Sequence, residues 1–192
     1  MGAKGDAARK RILDGARMLF ALKGYSEVTM KDICEAVGMS RGGVYRHYTS
    51  TEDIFAAIIC REQEQAIAAL EKAEKENRPP EIILLTFLRK RANYYLNQES
   101  SFENAITEFA QNSAKGKELL VERAKNSVEI MSRLIRRGCG AGVFRCEDEV
   151  AVAEHLLWLL EGMAKHNALI PIGEAEIEKL IKQFEVMLGY RG

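Results

Sequence analysis

Three features of this 192-residue sequence predict an all-α fold built in two parts. Apolar residues recur at intervals of three and four along the chain, and no stretch sustains the period-two alternation of a half-buried strand. Only three prolines occur, two of them adjacent at Pro79 and Pro80, so long segments are free of the residue that breaks a helix. Hydrophobic residues make up 47% and charged residues 29%, which furnishes a core and is too apolar for a disordered chain. Uninterrupted apolar runs such as residues 66–70 are far too short to span a bilayer. Met1 to Lys10 is polar and lacks the apolar stretch of a signal peptide, which predicts a cytoplasmic protein.

The first helix carries Ile12, Ala16, Leu19 and Phe20 inward, and Lys23-Gly24 provides a glycine stop. Thr29 caps a second, short helix, with Asp32 three residues on as the capping-box acid. Ile33 and Val37 point inward and Gly38 ends it. Ser40 caps a third helix through Val44 to about Tyr48. A fourth begins at Thr51-Glu52-Asp53, capped by Ser50 or Thr51, and continues until Asn77-Arg78-Pro79-Pro80 breaks it. At roughly 25 residues it is too long for a mini-domain and joins two parts.

Further helices are predicted over Glu81 to Leu96, Ser101 to Gln111 and Lys115 to Arg137, followed by a loop punctuated by Gly138, Gly140 and Gly142. Residues 148–167 are apolar around most of the helix circumference, so this helix needs cover on two sides. Residues 174–188 show a narrower stripe. Together these two helices invite a partner subunit, a two-fold four-helix bundle through Leu156, Leu160, Met163, Ile177, Leu180, Ile181, Phe184 and Leu188.

The segment Thr29 to Tyr48 reads as helix, short turn, helix. Glycine leaves the first helix, Met39 plugs the angle and Ser40 caps the next. Gly42 and Gly43 each cost a helix interior about 1 kcal/mol relative to alanine, a burden without purpose unless the backbone must come close to something. Arg41, Tyr45, Arg46 and His47 crowd donors and aromatic surface onto the same element, the equipment for entering a major groove. Arg41 is suited to guanine or a phosphate, Tyr45 to a phosphate oxygen or a thymine methyl, His47 to a phosphate; Val44 and, in part, Tyr48 are core. Charge agrees: residues 1–49 hold nine Lys/Arg against five acids, a basic quarter on a chain of zero net charge.

These stretches resemble the DNA-binding domain of the tetracycline-repressor (TetR) family over residues 9–55. The likeness runs through Ile12-Leu13-Asp14-Gly15-Ala16, Lys23-Gly24-Tyr25, Val28 to Ile33, Val37 to Ser40, Gly43 to Tyr48 and Glu52 to Phe55. It implies an all-helical homodimeric repressor of a palindromic double-stranded operator, with a DNA-binding domain over residues 1–50 and an effector-binding and dimerisation domain over 51–192. It places Thr29 and Lys31 against the DNA backbone or an edge base, Arg41, Gly42, Gly43 and Tyr45 on base-reading positions, and His47 on a phosphate position. Ser40, Tyr48 and Thr51 complete the expected DNA-contacting set. The chain departs from the family at Thr49 and Thr51, where lysine is frequent; a lost phosphate contact lowers the salt slope of binding by up to about one unit.

In such regulators a small molecule bound by the body changes the spacing of the two reading helices. Phe87, Tyr94, Tyr95, Phe102, Phe109, Met131 and Trp158 are candidates for an apolar pocket for a small apolar or aromatic effector, with His155 or Glu108 as polar anchors. Control by a protein partner, or by oxidation of Cys139 and Cys146, is the alternative. Four separated cysteines without a C-x-x-C pair are expected as reduced thiols. Neither metal nor cofactor is expected: His155 and His166 would lie about 16 Å apart on one helix. No G-x-S-x-G, H-E-x-x-H, P-loop or dinucleotide fingerprint points to an enzyme.

Overall fold

The computed structural model describes residues 3–96 and 100–190, with side chains at these positions other than 3, 95, 96, 100, 101 and 168. Among them the regular elements are helices: α1 (Ala3–Lys23), α2 (Met30–Val37), α3 (Arg41–Tyr45), α4 (Thr51–Lys75), α5 (Pro80–Leu96), α6 (Ser100–Asn112), α7 (Ala114–Gly140), α8 (Glu149–Leu169) and α9 (Glu174–Met187). The all-helical expectation holds. No helix among the described residues is long and apolar enough to cross a membrane.

Packing divides the chain into two compact units, Met1–Ile67 with Ser101–Val121, and Ala68–Ser100 with Glu122–Gly192. The first is organised around Phe55 of α4, which is fully buried and touches four rings: Phe20 of α1 at 4.7 Å, Tyr25 at 5.1 Å, and Phe102 and Phe109 of α6 at 5.3 and 4.8 Å between centroids. Ile12 and Ala16 of α1, Ile33 and Val37 of α2 and Val44 of α3 extend this core, as the helical spacing predicts. Ion pairs register α4 on α1: Arg17 Nε lies 2.5 Å from Glu62 Oε1, and Arg61 Nη1 2.8 Å from Asp14 Oδ1.

Phe109 is therefore a core residue of the first unit, packed on Tyr25 at 4.9 Å, and not a wall of an effector pocket. Glu108, the expected polar anchor, is engaged nearby as described below.

In the second unit α5, α7, α8 and α9 share a core. Leu84, Leu88 and Ala92 meet Ala153, Leu156 and Leu160, together with Ile177, Ile181, Phe184 and Leu188. This corrects the expected subunit interface. Leu156, Leu160, Ile177, Ile181, Phe184 and Leu188 are each at most 2% exposed within the single chain, so they have no area left to give a partner. Apolar spacing identified an inward face but not which neighbour it faced. Met163 and Leu180 are only half-buried. The open side of α8 holds Trp158 (59% exposed) and Leu159 (43%).

The loop after α7 also differs from expectation. Gly138 and Gly140 lie inside the helix, and a Cβ at position 138 would sit 2.1 Å from the Phe144 ring. Gly138 thus marks a close approach, and Gly142 alone makes the turn (φ +72°).

Candidate nucleic-acid interface

The turn between α2 and α3 is built by local chemistry. Thr29 Oγ1 accepts from the Asp32 amide at 3.2 Å while Asp32 Oδ2 accepts from the Thr29 amide at 2.9 Å, the reciprocal box that starts α2. The Thr29 hydroxyl also hydrogen-bonds Asp32 Oδ2, so this candidate DNA contact is already committed to the cap. That bond, with Lys23 Nζ at 2.9 Å, holds the Asp32 carboxyl far below its usual range. At the other end Gly38 takes the left-handed conformation (φ 58°), and the Met39 amide donates back to Cys34 O at 3.1 Å. Ser40 Oγ then accepts from the Gly43 amide at 3.2 Å and starts α3. α3 is five residues and ends at Tyr45 rather than near Tyr48, although Tyr48 N still donates to Val44 O at 3.1 Å.

Two residues of α1 hold this arrangement from behind. Arg11 Nε donates to Val37 O at 2.7 Å and Arg11 Nη2 to Gly38 O at 2.9 Å, capping the last carbonyls of α2 with a cation. Gly15 lets the helices approach: a Cβ there would lie 2.5 Å from Val37 Cγ1. The partners of Arg11 lie 26 and 27 residues away, and no local pattern in the sequence signals them.

α3 divides sharply. Val44 is fully buried, whereas Arg41, Gly42, Tyr45 and Arg46 are exposed. The Arg41 guanidinium stands 5.9 Å from the centre of the Tyr45 ring, so the two largest candidate readers support one another on one face. Gly42 meets no atom within 4 Å of where a Cβ would stand, while a Cβ at Gly43 would press on the capping Ser40 Oγ at 3.2 Å. The chain's own packing thus accounts for Gly43 but not for Gly42. Lys31 on α2 is exposed and stands 3.8 Å from Glu35 Oε1. His47 and Tyr48 are half-buried, and burial pushes the Tyr48 phenol above its usual range.

The start of α4 resolves the choice of cap: Ser50 Oγ accepts from the Asp53 amide at 3.1 Å, and Thr51 is the first helical residue, half-buried. Thr49, where the family frequently has lysine, hydrogen-bonds Asp53 Oδ2. That bond and Lys115 Nζ at 2.9 Å bring the Asp53 carboxyl down to about 2. The Thr49 hydroxyl is thus engaged within the protein.

A carboxylate missed as a positioning group completes the unit. Glu108 Oε2 of α6 accepts from the Tyr25 amide at 2.6 Å, the Ser26 hydroxyl and amide bond the same carboxyl, and Asn112 donates to Ser26 Oγ at 3.1 Å. It fills the space left by Gly24 (φ +84°), 3.0 Å from where a Cβ would be. The Ser26 hydroxyl, followed by the two amides, holds the Glu108 carboxyl below its ordinary 4.5. A carboxyl depressed by folding contributes stability above its ordinary value and loses it as pH falls through the lower folded one. Glu108→Gln is therefore expected to lower stability at pH 7 by about 1–3 kcal/mol. The gap to the parent narrows as pH falls below the ordinary 4.5 and through the lower folded value, which urea titrations at pH 7 and in acid will measure.

The remaining candidates are scattered. In the second unit Met131 is buried, Phe87 and Tyr94 are half-buried on α5, and Arg91 stands 5.9 Å from the Tyr94 ring. His155 and Trp158 are outward on α8, their rings 5.4 Å apart edge to face. Phe102 joins Phe109 in the first unit's core. The Tyr95 side chain lies outside the described residues. Among the described side chains of this set, Phe87 and Tyr94 are the two half-buried on one helix as candidate pocket lining.

Comparison with known proteins bears on the head and on the whole chain. The family model described as bacterial regulatory proteins, tetR family, matches residues 12–58. The HTH-type transcriptional regulator YfiR of Bacillus subtilis (strain 168) is 28% identical over 190 residues, spanning 95% of this chain and 91% of that one. The HTH-type transcriptional repressor Rv1474c of Mycobacterium tuberculosis is 40% identical over 68 residues, 35% of this chain and 36% of that one. A structure from Saccharomonospora viridis, solved in complex with choline, shares the fold with a TM-score of 0.75 at 21% identity, covering 96% of each chain.

Proposed function

We propose that the chain, whose residues 12–58 match the tetR family model, is a DNA-binding helix-turn-helix regulator of that family and a homodimeric repressor released from a palindromic operator by a small-molecule effector. The observation that carries the reading is the outward face of α3: Arg41, Gly42 and Tyr45 exposed on a helix whose Val44 side is fully buried. Arg41 and Tyr45 read base edges, Gly42 admits the backbone to the groove, and Lys31, Arg46 and His47 meet phosphates. Thr29, Ser40, Gly43, Tyr48 and Thr51 act chiefly by fixing where those groups stand. Residues 1–50 read DNA in the cytoplasm, and residues 51–192 bind the effector and the second subunit.

Repressor action is supported by the repressor likeness of the head, which covers about a third of that relative. The effector reading is supported by a protein of the same fold solved with choline, a likeness of fold that carries no ligand chemistry with it. The effector is a small apolar or aromatic molecule held in the second unit, where α5 offers Phe87 and Tyr94.

The subunit contact is assigned to the open side of α8. Trp158 and Leu159 stand exposed there, and Gly162 has no atom within 4 Å of its Cβ position. A glycine inside a 21-residue helix costs about 1 kcal/mol, which close approach of a partner helix would justify. Trp158→Glu is expected to yield a folded monomer in sedimentation analysis and to weaken operator binding by about two orders of magnitude, because a palindrome needs two heads. A dimer of unchanged affinity would refute the assignment.

The function itself is tested by selection from fragmented genomic DNA at physiological salt. Recovery of one palindromic site identifies the regulated genes, and compounds related to their products are then screened for release. Binding without sequence preference would overturn the reading.

A further inference from the structure

Cys139 and Cys146 stand with their sulfurs 3.4 Å apart, both half-buried and both free. Their approach is built. Cys139 occupies the last turn of α7, Gly142 reverses the chain in the left-handed conformation, and the Val143 and Phe144 amides donate to Gly138 O at 2.9 and 3.2 Å. Phe144 packs against Gly138, and the Arg145 amide donates to Leu188 O at 2.8 Å at the end of α9. The chain leading into Cys146 is held at three successive residues, Val143, Phe144 and Arg145, which keeps the two thiols in contact.

We propose that Cys139 and Cys146 form an oxidant-sensitive dithiol that closes to an intramolecular disulfide when a hydroperoxide accepts its two electrons. In a reducing compartment the pair rests as thiols. The Cys139 thiolate attacks the peroxide, the O–O bond breaks, and Cys139 becomes a sulfenic acid as the departing oxygen leaves as water or alcohol. Cys146 then attacks the Cys139 sulfur: the S–S bond forms, the S–O bond breaks, and the Cys146 proton leaves with the hydroxide as water. Two thiols supply two electrons and two protons, and the hydroperoxide accepts them. Burial, then the adjacent Cys139 and the carboxylates of Glu149 and Asp148, push the Cys146 thiol up to about 12, consistent with its acting second.

Bond formation shortens the sulfur separation by roughly 1.4 Å, toward the ~2.05 Å of a disulfide. The oxidised state therefore draws on the segment that is hydrogen-bonded to Leu188. The inference is independent of the DNA-binding reading.

The full chain, reduced and then exposed to limiting hydrogen peroxide, is analysed by intact mass and peptide mapping. Expected is a loss of two hydrogens, one internal cross-link between residues 139 and 146, and reversal by dithiothreitol. Cys139→Ser should form no cross-link, and Cys146→Ser should accumulate a dimedone adduct on Cys139. As a second measurement, a trivalent phenylarsenical, which needs two thiols within chelating reach, should bind the reduced chain one to one and bind neither variant. Oxidation confined to exposed Cys60 or linking separate chains, with Cys139 and Cys146 still open to alkylation, would overturn the proposal.

Discussion

Arg41→Ala combined with Tyr45→Ala is expected to leave the fold intact and abolish site-selective DNA binding. Both side chains are exposed on α3 and neither belongs to the buried core, so their truncation removes no packing. What it removes is one cation and one ring on the face opposite Val44, with their mutual support at 5.9 Å. A bidentate arginine–guanine contact discriminates by about 1–3 kcal/mol, and adding an aromatic contact brings the loss to roughly 10²- to 10³-fold against the selected operator. The single variants separate base from backbone. If Arg41 pairs with guanine, Arg41→Ala relaxes preference at one position and leaves the salt slope alone. If it meets a phosphate, all sequences weaken alike and the slope falls by about 0.9. Equal retention of the operator by the double variant, measured by fluorescence anisotropy, would place the DNA contact elsewhere.

The helices that present this face were legible because their signals are local. The Thr29–Asp32 box, the Gly38 stop and the Ser40 cap each operate within three or four residues, and the structure contains the bonds they imply. Apolar spacing also assigned the first unit's core, from Ile12 and Phe20 to Ile33, Val37 and Val44. The glycine loop after α7 was misread for the complementary reason. Gly138 is explained by a ring six residues away, and a glycine without its neighbour looks like any turn signal.

Long-range partners were not legible. Arg11 reaches the carbonyls that end α2, and Glu108 reaches amides 83 residues away in Tyr25 and its neighbour; nothing near either residue announces the partner. The same gap moved Phe109 from an expected pocket into a core, and the stripe on α8 and α9 from a partner's surface into the chain's own interior. A helix apolar all round does need two kinds of cover. Periodicity ranks the richer face no differently from the poorer, and here the richer one packs at home while Trp158 and Leu159 stay open.

Gly42 offers a separation that few positions allow, because its two costs have opposite signs. The structure gives it open space, so alanine there meets nothing and gains about 1 kcal/mol of helix propensity. Glutamate gains nearly as much, and its charge in the first turn of α3 is favoured by the helix dipole. Both variants should therefore melt a few degrees above the parent. Their DNA affinity should move the other way. If the α3 backbone enters the groove at this point, a methyl group holds it off and costs roughly tenfold, while a carboxylate facing phosphates costs about 10²-fold or more, with the greatest loss at low salt. Stability and binding measured on the same preparations decide the matter. A Gly42→Ala chain that is more stable and binds undiminished would show that the helix carries this glycine for no reason connected with DNA.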